Sequence, residues 1–199
     1  GSGGGVGWLP RQGDVTGNGA DAANATGGRV GTGYVYANFN PHFKYTSPNM
    51  NGYTLKVAMI NPEKPTDVDS VQTALPRIEG ELNWQTGFSS DGEVKLWSGF
   101  LYQNLDVRSL DGNFSDFSYS MEGVDFGAHI DIYTIGLTLS YTKTLGIGAD
   151  GLYGLTVQDA DVDATQWYVE ASIDTEQTIY GISYGEGKQN FRAANSAKN

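Results

Sequence analysis

The chain has 199 residues, of which 28 are glycine, 12% aromatic and only 18% charged, with a formal net charge of -11; this mixture suits strands more than helices. It contains no cysteine, which excludes disulfide frameworks, thiolate nucleophiles and cysteine-ligated zinc or iron–sulfur sites. Two histidines, His42 and His129, leave little for a histidine metal centre, and the acidic balance argues against a surface that neutralises nucleic-acid phosphates.

No stretch approaches the roughly 20 apolar residues of a membrane-crossing helix. A membrane strand shows lipid only every second residue, so that criterion says nothing against a barrel. Residues 1–28 are dominated by Gly, Ala, Asn, Asp and Thr and read as an irregular loop, with a linker-like run in Gly1–Gly5. From Arg29 to residue 189 a period-two pattern takes over.

In the first run Val35, Ala37, Phe39, Phe43 and Tyr45 oppose Tyr36, Asn38, Asn40, His42, Lys44 and Thr46. Successive strand side chains point to opposite faces, so one face is apolar and the other polar. Turn chemistry at 47–52 precedes Tyr53, Leu55, Val57 and Met59, which alternate with Thr54, Lys56 and Ala58. The unit recurs three times: Ile78–Trp84 and Val94–Tyr102 around a turn at 89–92, Val124–Ile132 and Ile135–Tyr141 around Tyr133-Thr134, and Trp167–Ile173 and Tyr180–Tyr184 around 174–176. Eight antiparallel strands are predicted, with residues 190–199 as a loop or truncated end.

Connections within these hairpins are short, and those between them run over 61–75, 106–118 and 145–163. Short turns at one end and long loops at the other are a feature of transmembrane barrels. On the apolar parity, Tyr45, Tyr53 and Phe88 fall near the short turns, and Tyr102, Tyr141, Trp167 and Tyr184 near the long loops. Aromatic rings favour the two membrane–water interfaces, so two belts are expected. The predicted fold class is therefore all-β, an antiparallel transmembrane β-barrel of which about eight strands are present.

Three segments, Tyr45-Thr46-Ser47-Pro48 followed by Gly52, then Gly123-Val124-Asp125-Phe126-Gly127-Ala128, then Tyr180-Gly181-Ile182-Ser183-Tyr184-Gly185, resemble the Gram-negative general porin family over residues 29–189. The resemblance implies an internal fragment of a sixteen-stranded outer-membrane barrel, usually a homotrimer, that passes small hydrophilic solutes and ions by passive diffusion. It also implies contact with outer-membrane lipid and lipopolysaccharide, no cofactor and no catalysis. Residues 1–28 would then correspond to the end of the loop that narrows the pore, and Lys44, with His42 beside it, to the basic pore residues of the following strand. Family barrels commonly finish on an aromatic residue, whereas this chain closes on Ala197-Lys198-Asn199.

The polar parity carries Lys44, Lys56, Arg77 and Lys95 together with Glu79, Glu81, Asp125, Asp131, Glu170 and Asp174. As a pore lining, these charges would either set up a transverse field or simply solvate the wall. The three long loops hold ten acidic residues against Lys64 and Arg108. Among them Asp159, Asp161 and Asp163 could offer oxygen ligands to Ca²⁺, but no EF-hand spacing or closing Glu supports a dedicated site, and a hydrated loop is the simpler reading.

Gly146-Ile-Gly148-Ala-Asp-Gly151 matches a dinucleotide fingerprint, yet the glycine-broken, β-prone sequence after it predicts no helix to receive a pyrophosphate. His129 and Asp131 could pair as a base and its orienter, but they are also ordinary same-face neighbours on a strand, and no nucleophile is placed beside them. The alternative to a channel is a soluble or surface-attached β-rich binding module, in which the apolar parity would form a dry core.

Overall fold

In a computed structural model, residues 40–65, 71–73, 75–89, 92–108, 116–148, 160–175 and 177–191 are described. The strands are β1 (His42–Thr46), β2 (Tyr53–Ile60), β3 (Val71–Gln72), β4 (Arg77–Ser89), β5 (Gly92–Val107), β6 (Phe117–Ile132), β7 (Ile135–Leu145), β8 (Val162–Asp174) and β9 (Ile179–Phe191). Eight of them form a single antiparallel meander in the order β1-β2-β4-β5-β6-β7-β8-β9. The protein is all-β, and this sheet is open: β1 and β9 are its two edges and do not pair with each other.

The short turns follow from local chemistry. Asn51 and Gly52 both have positive φ, 53° and 91°, as a type I′ hairpin turn requires. Met50 and Tyr53 exchange both backbone hydrogen bonds across it, at 2.9 and 3.1 Å, and Asn49 Oδ1 accepts from Gly52 N at 2.8 Å. A Cβ on Gly52 would overlap the Gln85 carbonyl, so the residue is fixed by space as well as by φ. The β6–β7 turn is a second two-residue loop, closed by Ile132 opposite Ile135, with Tyr133 in the left-handed region.

Strands β5 and β6 are 16 residues each and pair in unbroken register from Gly92↔Ile132 to Val107↔Phe117. They outrun β4 at the loop end, and β3 fills part of the gap by pairing Val71 with Val107 and Gln72 with Asp106. The connection after β2, read from sequence as a plain loop, is thus stitched to the wall. Two residues are too few to show a period, which is why alternation does not reveal β3. At the other edge β9 runs to Phe191, two residues past the expected boundary. The expectations for residues 1–28, for strand residues 35–39, for Asp159 and for 192–199 lie outside the described residues.

Candidate functional site

Burial along the strands is inverted relative to a protein with a dry core. On β7, Leu137 and Leu139 are 40% and 48% exposed while Thr138 between them is 3% exposed. The same parity leaves Leu55, Val57 and Met59 on β2, Leu96 and Phe100 on β5, Val124 and Phe126 on β6 and Ile182 on β9 exposed. The meander therefore presents one continuous apolar face, with nothing in the chain's described residues lying over it. Where this face carries glycine, an aromatic ring covers the backbone: Phe100 lies over Gly80, its cross-strand partner.

The apolar face stops at a sharp line. Moving toward the loop end, its last large members are Tyr102 on β5, Val124 on β6, Tyr141 on β7, Trp167 on β8 and Tyr184 on β9. Tyr141 is opposite Trp167, and the Trp167 and Tyr184 rings stand 5.7 Å apart. The next residues of the same parity are Asn104 and Asp106, Glu122 and Ser120, Lys143, Thr165 and Asp163, and Glu186 and Lys188, all polar, with Leu145 at the end of β7 the apolar exception. Beyond the line the opposite parity of β5 and β6 turns apolar, and Leu105, Met121 and Ile147 form a fully buried cluster with Leu101 and Tyr119 packed on it, whereas β7 carries the buried Thr142 and Thr144 there.

At the turn end Tyr45, Tyr53 and Phe88 are exposed on the apolar face, joined by Trp84, whose ring is 6.2 Å from that of Tyr53. Tyr133 and Tyr180 are exposed at the same end. The seven aromatic residues expected to form belts all lie on this face; Trp84 and Tyr180, expected on it as strand residues but not as belt members, and Tyr133 of the β6–β7 turn stand with them. Between the lines, Val124 to Ile132 covers about 27 Å along β6 at ~3.4 Å per residue.

The polar face gathers the predicted charges as cross-strand neighbours. Lys56 Nζ lies 2.7 Å from Glu81 Oε1, and Asn83 Nδ2 donates to the same oxygen. Arg77, 2% exposed, places Nε 2.9 Å from Glu79 Oε1 and a terminal nitrogen 3.7 Å from Glu63 Oε2. Asp125 reaches over the bare Cα of Gly99 and accepts from the Trp97 side chain. His129 has both ring nitrogens occupied, by Thr138 Oγ1 and Asp131 Oδ2, each at 2.8 Å. This bridges β6 to β7 and sets the Thr138 hydroxyl, a group the sequence alone does not place beside His129, against the ring.

Lys95 is opposite Gln85 and His129, and Glu170 is buried opposite Thr138 and Ser183. On edge strand β1, His42 and Lys44 are exposed, with His42 Nδ1 3.0 Å from the Asn40 carbonyl. The basic and acidic side chains of β2 and β4 meet within the wall and do not face each other across a space.

Asp161 and Asp163 do not gather with a third acidic or histidine ligand among the described residues. Asp163 is on β8, opposite Leu145 and Asn190, on the polar continuation of the apolar face. Gly146, first of the fingerprint glycines, has φ +68° and donates its N–H to the Val162 carbonyl at 2.8 Å. A Cβ there would overlap the Ser120 carbonyl, so this glycine serves the end of β7. No family model, curated protein or solved structure matches the chain.

Proposed function

We propose that this sheet is part of an outer-membrane β-barrel of the porin type, a passive channel for small hydrophilic solutes and ions. One observation carries the reading: an exposed apolar face bounded at both ends by aromatic residues, with polarity exchanging faces on β5 and β6 beyond the loop-end boundary. Water would make such a face, continuous over the meander, an aggregation surface. Hydrocarbon makes it the favoured one, and the aromatic rows fall where headgroups would lie. A strand tilt of about 40° reduces the 27 Å along β6 to about 20 Å of height, close to the apolar band of such barrels once the girdles are added.

The other face supports a wet lumen. It carries Gly, Ser, Thr and ion pairs through the band, with Trp97, Leu101 and Tyr168 among them, and on β5 and β6 it becomes apolar past the aromatic line, where a wall standing clear of lipid can fold like a soluble protein. An eight-stranded barrel closed on itself would have to fill its interior with side chains, and this inner face offers too little volume. Closure by further strands between β9 and β1 is the better fit. The sixteen-stranded count, the homotrimer and contact with lipopolysaccharide rest on the sequence resemblance alone.

The full-length protein reconstituted in a planar bilayer is expected to give ohmic steps of current that persist under applied voltage. A membrane that stays silent at high protein load would count against the channel. A β-rich binding module is told apart by folding without detergent or lipid into a soluble monomer.

A further inference from the structure

The segment that leaves β2, Asn61-Pro62-Glu63-Lys64-Pro65, lies on the face that Gln103 addresses. Gln103 is on β5 at the same parity as Lys95 and Trp97, so its side chain points to the polar face. It is fully buried, and its amide makes two bonds to one residue: Glu63 N–H donates to Gln103 Oε1 at 2.9 Å, and Gln103 Nε2 donates to the Glu63 carbonyl at 2.6 Å. Both backbone groups of Glu63 are therefore held by a side chain that reaches inward.

The Glu63 carboxylate adds a second hold. It accepts from Asn40 Nδ2 at 2.8 Å and lies 3.7 Å from the Arg77 guanidinium. Pro62 and Pro65 fix φ and favour an extended crossing, and Pro65 is buried while Lys64 is exposed. After the crossing, β3 returns the chain to β5. A loop that merely capped the β2–β4 hairpin would need none of these inward contacts.

We infer that residues 61–65 form a fixed narrowing of the lumen at the level of the loop-end aromatic row, positioned by Gln103; this rests on the channel reading. Gln103 acts through the loop it holds and is a positioning residue. The narrowing lowers the size limit for solutes and presents Lys64 to the permeation path.

Because these 199 residues hold no cysteine, Lys64→Cys adds one thiol to them and leaves Gln103 and Glu63 untouched, with the equally treated wild type as the control for any thiol elsewhere in the full-length protein. In full-length protein conducting in a planar bilayer, a bulky thiol reagent is expected to reduce the current through Lys64→Cys and leave the wild type unchanged. Gln103→Met keeps the volume and removes both bonds; single-channel conductance and the size limit for neutral sugars in vesicle swelling are expected to shift upward. Unchanged current after complete labelling of Lys64→Cys overturns the narrowing even if Gln103→Met cannot be folded. A folded Gln103→Met channel with wild-type conductance and size limit overturns the role of Gln103. A wild type that passes no current removes the channel reading and this inference with it.

Discussion

Leu139→Arg is expected to lower the folding free energy in lipid vesicles by about 2–4 kcal/mol, the depth-dependent cost of a cation on the lipid face of a barrel. Leu139 is in the middle of the band, opposite Ala128 on β6 and Val169 on β8. It is 48% exposed, so the sign of the effect depends on what lies outside. If that medium were water, an arginine at so open a site would change stability by no more than about 0.5 kcal/mol. Thr54→Lys, on the polar face of β2, is expected to stay within that smaller range.

The native sequence contains its own depth control. Two outward positions beyond Leu139, past Tyr141, the chain already places Lys143, where the cost near an interface falls to about 0–1 kcal/mol. Urea titration of vesicle-folded variants measures all of these. Equal effects of Leu139→Arg and Thr54→Lys would remove the lipid from the account.

The alternation was legible because the apolar parity is nearly unbroken on β2 and from β5 to β9, and period two assigns each side chain to a face before any contact is known. The eight strands of the meander and the place of the seven aromatic residues on its apolar face follow from it. What it could not reveal depends on contacts between residues distant in sequence. Gln103 reads as one more polar residue of a strand, and only the crossing of 61–65 makes it the holder of Glu63.

The exchange of faces beyond Tyr102 on β5 and Val124 on β6 is visible in principle. Leu105 and Val107 follow the polar parity of Lys95 and Trp97, and Phe117, Tyr119 and Met121 follow that of Asp125 and Asp131. Those residues fell in or beside stretches read as loop, so the same alternation continuing with inverted polarity went unrecognised. The charges were placed on the correct face, but their pairing is set by register: Lys56 meets Glu81 because β2 and β4 align them. Lys56 and Arg77 therefore each meet a carboxylate along the wall.

Gly127→Ala is expected to destabilise the protein by about 1–3 kcal/mol, the usual cost of overpacking, although elsewhere the exchange helps. Where backbone and space allow, Gly→Ala stabilises by about 0.4–1 kcal/mol through the unfolded chain. Gly123 is such a place: it shares the strand and face of Gly127, and a Cβ there would meet Leu101 Cβ and Thr144 Cγ2 at ordinary contact, 3.7 Å each. At Gly127 the added atom would overlap three atoms of the Trp97 ring, which lies flat over the bare backbone of its cross-strand partner. The ring can yield only by turning away, and turning costs its hydrogen bond to Asp125. Trp97→Ala should therefore cancel most of the Gly127→Ala penalty, giving a coupling of about 1–3 kcal/mol in a double-mutant cycle measured by urea titration in vesicles. Additive effects of the two substitutions would mean that the indole does not rest on Gly127, and a Gly123→Ala variant as unstable as Gly127→Ala would place the cause in the backbone of β6 and not in the ring.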